Sequence, residues 1–213
     1  MSSELLEITL RSLAISGSAT LLSSLWSIPT AYLLAKSRGY SRIFSPIAEA
    51  LVGAPTVLVG LALYALLCSR GLLGSLQILY TPYAVILGQS ILITPLMISI
   101  SFRALLHSYE SYGELALSLG ATERQAMILA LKEGLPGLLA AEIMSFSRAI
   151  GELGVALMIG GNIKGYTRVL TTAIALEVSK GDFELALSLG GILLILMILV
   201  SLSLRALRRF QER

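Results

Sequence analysis

The sequence is poor in charge, in cysteine and in histidine. Charged residues make up 14% of its 213 residues, against about a quarter in soluble domains. Hydrophobic residues make up 55%, and mean hydropathy is +0.83. That balance all but excludes a soluble globular domain, and it excludes a disordered chain. A single cysteine, Cys68, excludes a disulfide framework and any multi-cysteine metal site. A single histidine, His107, excludes a multi-histidine site, so no metal is expected. The net charge of +3 is too small to argue for nucleic acid. No glycine is followed by lysine, so the phosphate-cradling Gly-x-x-x-x-Gly-Lys-Ser/Thr loop is absent.

What is present is a series of apolar runs. A spanning helix needs about 20 mostly apolar residues. Five stretches qualify: 13–35, 46–68, 82–102, 136–160 and 184–204. The first ends in Lys-Ser-Arg and lacks a basic start, unlike a cleaved signal peptide. The expectation is one all-α membrane domain over 1–213, with five transmembrane helices and no residues left for a soluble domain.

Five spans put the termini on opposite sides, and the lysine and arginine balance decides which. Segments 36–45, 103–135 and 205–213 hold ten: Lys36, Arg38, Arg42, Arg103, Arg124, Lys132, Arg205, Arg208, Arg209 and Arg213. Segments 1–12, 69–81 and 161–183 hold five: Arg11, Arg70, Lys164, Arg168 and Lys180. The N-terminus is therefore expected outside and the C-terminus in the cytoplasm. The opening segment has Leu5, Ile8 and their apolar neighbours at helical spacing. It either lies along the outer surface or simply extends the first span.

Pro29, Pro55 and Pro95 stand inside the first three spans, where each removes a backbone hydrogen bond and can kink its helix around a cavity. Ser16, Gly17, Ser18, Thr20, Ser23, Ser24 and Ser27 make the first span rich in small residues, which favours close helix packing over ligand binding. Glu49 and Glu184 sit at span ends and can reach water.

The fourth span carries Glu142, Arg148 and Glu152. A charge at the bilayer centre costs roughly 2.5–3.5 kcal/mol on insertion scales, so Arg148 must face protein or water. Glu152 is four residues on and can pair with it. The pair either fixes packing or lines a pathway.

Segment 103–135 is too polar to span. Ser111 with Glu114, and Thr122 with Gln125, have capping-box spacing. Gly120 falls between, where a left-handed residue would end a helix. The spacing predicts two short helices, about 112–119 and 123–134, joined by a fixed turn. Such an elbow can dock into a partner's groove or lie on the membrane surface. Glu-Leu-Ala-Leu-Ser-Leu-Gly also occurs at 184–190 with unrelated flanks, which reads as coincidence.

Gly113-Glu-Leu-Ala-Leu-Ser-Leu-Gly-Ala121 resembles the EAA loop of ABC-transporter permeases of the binding-protein-dependent importer type. Glu114, Ala116, Gly120 and Ala121 match in type and spacing, and Leu115 replaces the first alanine. The family's later Leu-Pro is displaced to Leu135-Pro136. Ser147-Arg-Ala-Ile-Gly-Glu-Leu-Gly154 resembles the fourth-span motif of importers for molybdate, tungstate and sulfate. Gly160 to Arg168, then Leu170 to Glu177 and Ser179 to Asp182, are similar to tungstate-type permeases.

The resemblance implies the importer-type permease fold with cytoplasmic coupling helices, in a prokaryotic plasma membrane. It implies a homodimer, two copies of a separate P-loop ATPase on the elbow, and an extracellular or periplasmic oxyanion-binding protein. ATP and magnesium would then be held by the ATPase, with no cofactor on this chain and no catalysis by it. It places Glu114, Leu115, Ala116, Gly120 and Ala121 in coupling, and Arg148, Glu152 and Gly154 in the path or its gate.

The outer loop adds its own chemistry. Gly161 and Gly165 bracket Asn162 and Lys164, and glycines let backbone N–H groups converge as in anion-binding nests. Asn162, Lys164, Tyr166, Thr167 and Arg168 offer donors to an oxyanion. Contact with the binding protein is favoured over a tight anion site, because a path that binds tightly releases slowly. The competing readings are a permease for another anion such as sulfate, and a membrane-embedded hydrolase using Glu142, Glu152 and His107.

Overall fold

The computed structural model describes residues 2–37 and 46–211, with side chains over 4–37 and 46–203. Arg38, Arg42 and Arg213, and the side chains of Arg205, Arg208 and Arg209, all used for the orientation count, lie outside the described residues. The described residues contain helices and turns but no strand.

In chain order the helices are α1 (Ser2–Lys36), α2 (Pro46–Val52), α3 (Thr56–Leu67), α4 (Pro82–Ser108), α5 (Glu114–Ser118), α6 (Glu123–Ile150), α7 (Gly154–Gly160), α8 (Leu170–Lys180) and α9 (Phe183–Gln211). Three helical runs are long and apolar enough to cross a membrane: Glu4–Lys36, Pro82–Ser118 and Phe183–Ser203. Two bent pairs, α2 with α3 at 92° and α6 with α7 at 60°, would each make one more.

Helix α1 has 35 residues, about 52 Å at 1.5 Å per residue, well beyond the ~30 Å hydrocarbon core. The opening segment is thus continuous with the first span and starts ahead of Leu13. Lipid offers no hydrophobic drive between helices, so close packing must come from small residues and internal hydrogen bonds. Helix α1 turns such a stripe, Ser12, Ser16, Ala19, Ser23, Ser27 and Ala31, toward the interior. Ser12 and Thr20 donate back to the carbonyls of Ile8 and Ser16, each at 2.8 Å. Ser16 donates to Gln89 Oε1 on α4 at 3.2 Å, and the Trp26 indole N–H donates to Thr94 Oγ1 at 2.8 Å. Ser12, Ser16, Thr20, Ser23 and Ser27 are buried packing groups, whereas Ser18 is exposed.

The prolines divide into two kinds. Pro29, Pro95 and Pro136 stand inside continuous helices. Pro55 coincides with a break, where it precedes α3 at φ −60° and ψ 119°. The second and fourth expected spans are therefore bent elements rather than straight ones.

The elbow also differs from the expected pair of separate helices. A π-helical turn at Tyr109–Gly113 joins α4 to α5 without a gap, so no separate helix starts at the Ser111 and Glu114 spacing. Past the turn, α6 begins at Glu123 and runs through to Ile150. The second elbow helix and the long part of the fourth span are one element. No residue between 123 and 150 has a positive φ, so nothing stops the helix once Thr122 has started it. A Cβ on Gly137 would lie 2.3 Å from the Ala104 Cβ, which is how closely α4 and α6 approach.

Ion pairs at the two ends set the frame. Lys36 Nζ meets Glu123 Oε2 at 2.7 Å at the elbow end. Lys164 Nζ meets Glu4 Oε1 at 2.9 Å at the opposite, loop end.

Candidate functional site

Three places carry the chemistry: the elbow, the bend between α6 and α7, and the loop beyond α7. At the elbow, Gly120 has φ +90°, a conformation only glycine enters cheaply. Gly120 N–H donates to the Leu117 carbonyl at 3.0 Å, and Ala121 N–H donates to the Ala116 carbonyl at 2.9 Å. These two bonds make a Schellman motif that ends α5. The next helix starts at once. Thr122 Oγ1 accepts from Gln125 N–H at 3.4 Å, and Gln125 Oε1 accepts from Thr122 N–H at 2.8 Å. This capping box and the glycine turn fix the angle between α5 and α6 with backbone bonds. Leu115 on this short helix and Leu119 at its C-cap stand exposed, Leu119 at 80%.

At the bend, Arg148 lies about 18 Å along α6 from Pro136 at 1.5 Å per residue. Its Nη1 donates to Glu152 Oε2 at 2.6 Å, with side-chain exposures of 35% for Arg148 and 2% for Glu152. Glu152 is fastened from three sides. Its Oε1 accepts from Val155 N–H at 3.2 Å, where the first turn of α7 leaves backbone donors unused. Its carbonyl accepts from Thr171 Oγ1 of α8 at 2.7 Å. Its N–H donates to the Ala149 carbonyl at 3.1 Å. The carboxylate thus closes the break between the two helices while presenting a negative edge to Arg148. Gly154 has a packing reason: a Cβ there would lie 2.5 Å from Thr56 Oγ1 and 3.0 Å from the Val57 nitrogen. The two bends touch at that point.

Glu142 does not join this group. It lies with Phe146, Gly17, Thr20 and Val200 along an apolar groove between α1, α6 and α9. His107 is exposed at the elbow end. The three groups required by the hydrolase reading do not converge.

The loop at 160–169 is ordered by its own side chains. Thr167 is buried; its hydroxyl donates to the Gly160 carbonyl at 2.6 Å and accepts from Ile163 N–H at 2.9 Å. Arg168 Nε donates to Asn162 Oδ1 at 3.2 Å, and its carbonyl accepts from Arg11 at 3.2 Å. Gly161, Asn162 and Gly165 all have positive φ. A Cβ on Gly161 would meet the Tyr80 ring at 2.8 Å. A hydrogen bond with Tyr64, then partial burial, holds the Tyr80 phenol above its ordinary range. Asn162, Thr167 and Arg168 are therefore engaged within the loop, whereas Lys164, Gly165 and Tyr166 are exposed. Below them, a pocket of about 320 Å³ is lined by Lys164, Arg168, Lys180, Glu4 and Glu177 over an apolar floor.

Residues 27–213 match the family described as the binding-protein-dependent transport system inner membrane component. The chain belongs to this family of importer permeases. A tungstate uptake system permease protein TupB of Peptoclostridium acidaminophilum is 37% identical over 87% of this permease and 82% of that protein. A probable anion ABC transporter permease protein of Haloferax volcanii is 34% identical over 98% of the permease and 91% of its own length. A TupB of Campylobacter jejuni is 34% identical over 79% of the permease and 70% of that protein. Among solved structures, a chain of the MetNI methionine ABC transporter superposes with a TM-score of 0.75 at 19% identity. It covers 98% of the permease and 97% of that chain. The permease thus has the ABC importer permease fold and is a multi-pass membrane protein.

The sequence did not point to several groups that build the permease's site. Ser12 Oγ, on α1, accepts from Leu170 N–H at 2.8 Å and so starts α8. Thr171 ties α8 to the bend. Glu177 is buried beside Lys180 at 2.8 Å. The Ser12 and Thr171 contacts join residues far apart in sequence, where no spacing rule reaches, whereas Glu177 and Lys180 have the i,i+3 spacing of a helical pair, inside a string that stands out only for its resemblance to tungstate-type permeases. Arg103 and Glu49 also pair across α4 and α2, which their separate places at span ends concealed.

Proposed function

We propose that the permease forms the translocation path of an ATP-driven importer for tungstate or molybdate. It works as a homodimer of five-span subunits, each bent pair counting as one span, with the N-terminus outside and the C-terminus in the cytoplasm of a prokaryotic cell. Two copies of a P-loop ATPase bind the elbows and hold ATP and magnesium. A binding protein delivers the anion to the outer loops.

The observation that carries this reading is the elbow. A short helix with exposed leucines is held rigidly at the end of a long spanning helix, and that is what docking into a partner's groove requires. Glu114, Leu115, Ala116, Gly120 and Ala121 are the coupling residues. Closure of the ATPases on ATP moves the elbows, and the spans rotate as bodies to open the path outward. Arg148, Glu152 and Gly154 stand at the path or its gate. Arg148 meets the anion through an N–H fork suited to oxyanions. Gly161, Asn162, Lys164, Gly165, Tyr166, Thr167 and Arg168 form the contact for the binding protein, with Thr167 and Asn162 shaping the loop and Tyr166 and Lys164 facing out. The two tungstate relatives at 34–37% identity support the choice of anion.

Two measurements test it. The complex extracted in mild detergent and weighed intact is expected to contain two permeases and two ATPases. Uptake of labelled tungstate into cells is expected to be blocked by unlabelled tungstate or molybdate and not by sulfate. A lone permease under several mild conditions would overturn the coupling role, and block by sulfate alone would overturn the anion.

A further inference from the structure

Helix α6 has two different faces. Glu142 and Phe146 turn into the groove against α1 and α9. Met144 turns the other way, into a cavity of about 360 Å³ between α2, α4 and α6. Arg148 is four residues past Met144, so it lies on that same face, one turn further along. The cavity is therefore the continuation of the Arg148 face toward the elbow end. At its far edge stand Arg103 of α4 and Glu49 of α2, which pair through Arg103 Nη2 and Glu49 Oε1. Its wall includes Leu96, Ile100 and Ser99. The Ser99 hydroxyl oxygen is buried and has no hydrogen-bond partner among the described residues.

We propose that Arg103 is a second cationic station for the oxyanion, on the inner side of Arg148, with Glu49 as its exchangeable counter-ion. This rests on the reading that the Arg148 face lines the path.

The two arginine pairs are built for opposite tasks. Glu152 is nearly inaccessible and bound to the backbone, so it stays where it is. Arg103 and Glu49 are exposed by 70% and 47%, and an exposed pair is only weakly held. A doubly charged tetrahedral anion can displace Glu49 from the Arg103 guanidinium, which has five donors to offer. Leu96, Ile100 and Met144 give the anion nothing to bind, so it is held briefly at the arginine and then released, as transport requires. When the anion leaves, Glu49 returns to Arg103 and the station resets.

The test uses the permease assembled with its ATPase, in detergent without nucleotide, and sodium tungstate as the probe in equilibrium dialysis. Arg103→Gln is expected to weaken tungstate retention about tenfold, the loss of one charge-assisted interaction. Arg103→Lys is expected to restore most of it. Glu49→Gln is expected to act in the opposite direction, tightening retention and slowing ATP-driven release in proteoliposomes, because it removes the competitor. If Glu49→Gln and Arg103→Gln weaken retention and transport alike, the pair is only a clamp between α2 and α4, and the station is overturned. Met144→Cys in a Cys68→Ser background separates this outcome from failure of the path itself. Labelling of Met144→Cys by a membrane-impermeant maleimide places the face in water. With labelling present and both substitutions silent, the station fails; with no labelling in any nucleotide state, the path reading fails first and the station with it.

Discussion

At Gly120 the backbone turns with φ +90°, and nothing lies within 4 Å of where a Cβ would stand. A side chain there would meet no clash, so its cost is conformational alone, ~1–2 kcal/mol. Gly120→Val is expected to loosen the elbow angle without unfolding the spans. ATP hydrolysis should continue in the assembled complex while anion uptake falls, and Gly120→Asn should keep most uptake. Normal coupled uptake in the valine variant would remove the elbow from coupling. Glu152 presents a different kind of dependence. Glu152→Gln keeps an acceptor for Val155 N–H but leaves Arg148 without its counter-charge at depth. The expected loss lies between the ~1 kcal/mol of an exposed pair and the ~3–5 kcal/mol of a fully buried one. A thermal melt of the purified permease reads it, and an unchanged midpoint would mean that Arg148 is satisfied by water.

At the scale of the element, α6 is the part whose continuity matters. Its 28 residues start at the elbow turn and carry Arg148 in the last turn. One alanine inserted after Glu133 would turn everything beyond it by ~100° relative to the elbow. Uptake is expected to vanish while the chain still reaches the membrane, whereas an insertion in the exposed loop at Gly71–Leu72 should leave transport intact. Equal tolerance of both insertions would show that the phase between elbow and bend is irrelevant. The sequence made the start of this element and its Arg148–Glu152 pair legible. Thr122 and Gln125 are three apart, Gly120 precedes them, and Arg148 and Glu152 are four apart, so local spacing alone fixes those contacts. The middle and the breaks were not legible. The string around Pro136 reads as a boundary, yet the helix passes through it. Gly53-Ala-Pro55 and Gly151-Glu-Leu153 are the real breaks, but a hydropathy window averages across three residues and sees one apolar run. Ser111 and Glu114 have the right spacing for a cap but fall inside a chain already helical, where there are no free N–H groups to receive.

For the whole molecule, the helices differ sharply in how much they bury. The apolar window of α9 is only 11% buried within the chain, against 50% for the Pro82–Ser118 run. In the membrane, α9 is expected to face hydrocarbon. A nitroxide at Leu194, exposed here, should be reached by oxygen and not by an aqueous nickel chelate; one at Met97, fully buried, should be reached by neither. The permease therefore has a packed centre of α1, α4 and α6, with α2, α3, α7, α8 and α9 arranged around it. Within that centre α6 is a lever. It is about 42 Å long at 1.5 Å per residue, its only interruption is the 60° bend at one end, and the opposite end carries the elbow. A tilt of roughly 10° about the bend would carry the elbow end through about 7 Å, by the same length estimate. Run in reverse, a large stroke at the elbow becomes a small, forceful displacement at Arg148 and Glu152. On the proposed reading, with the ATPase at the elbow and the gate at Arg148 and Glu152, such gearing trades distance for force, so a narrow gate is opened fully by a partner about 40 Å away.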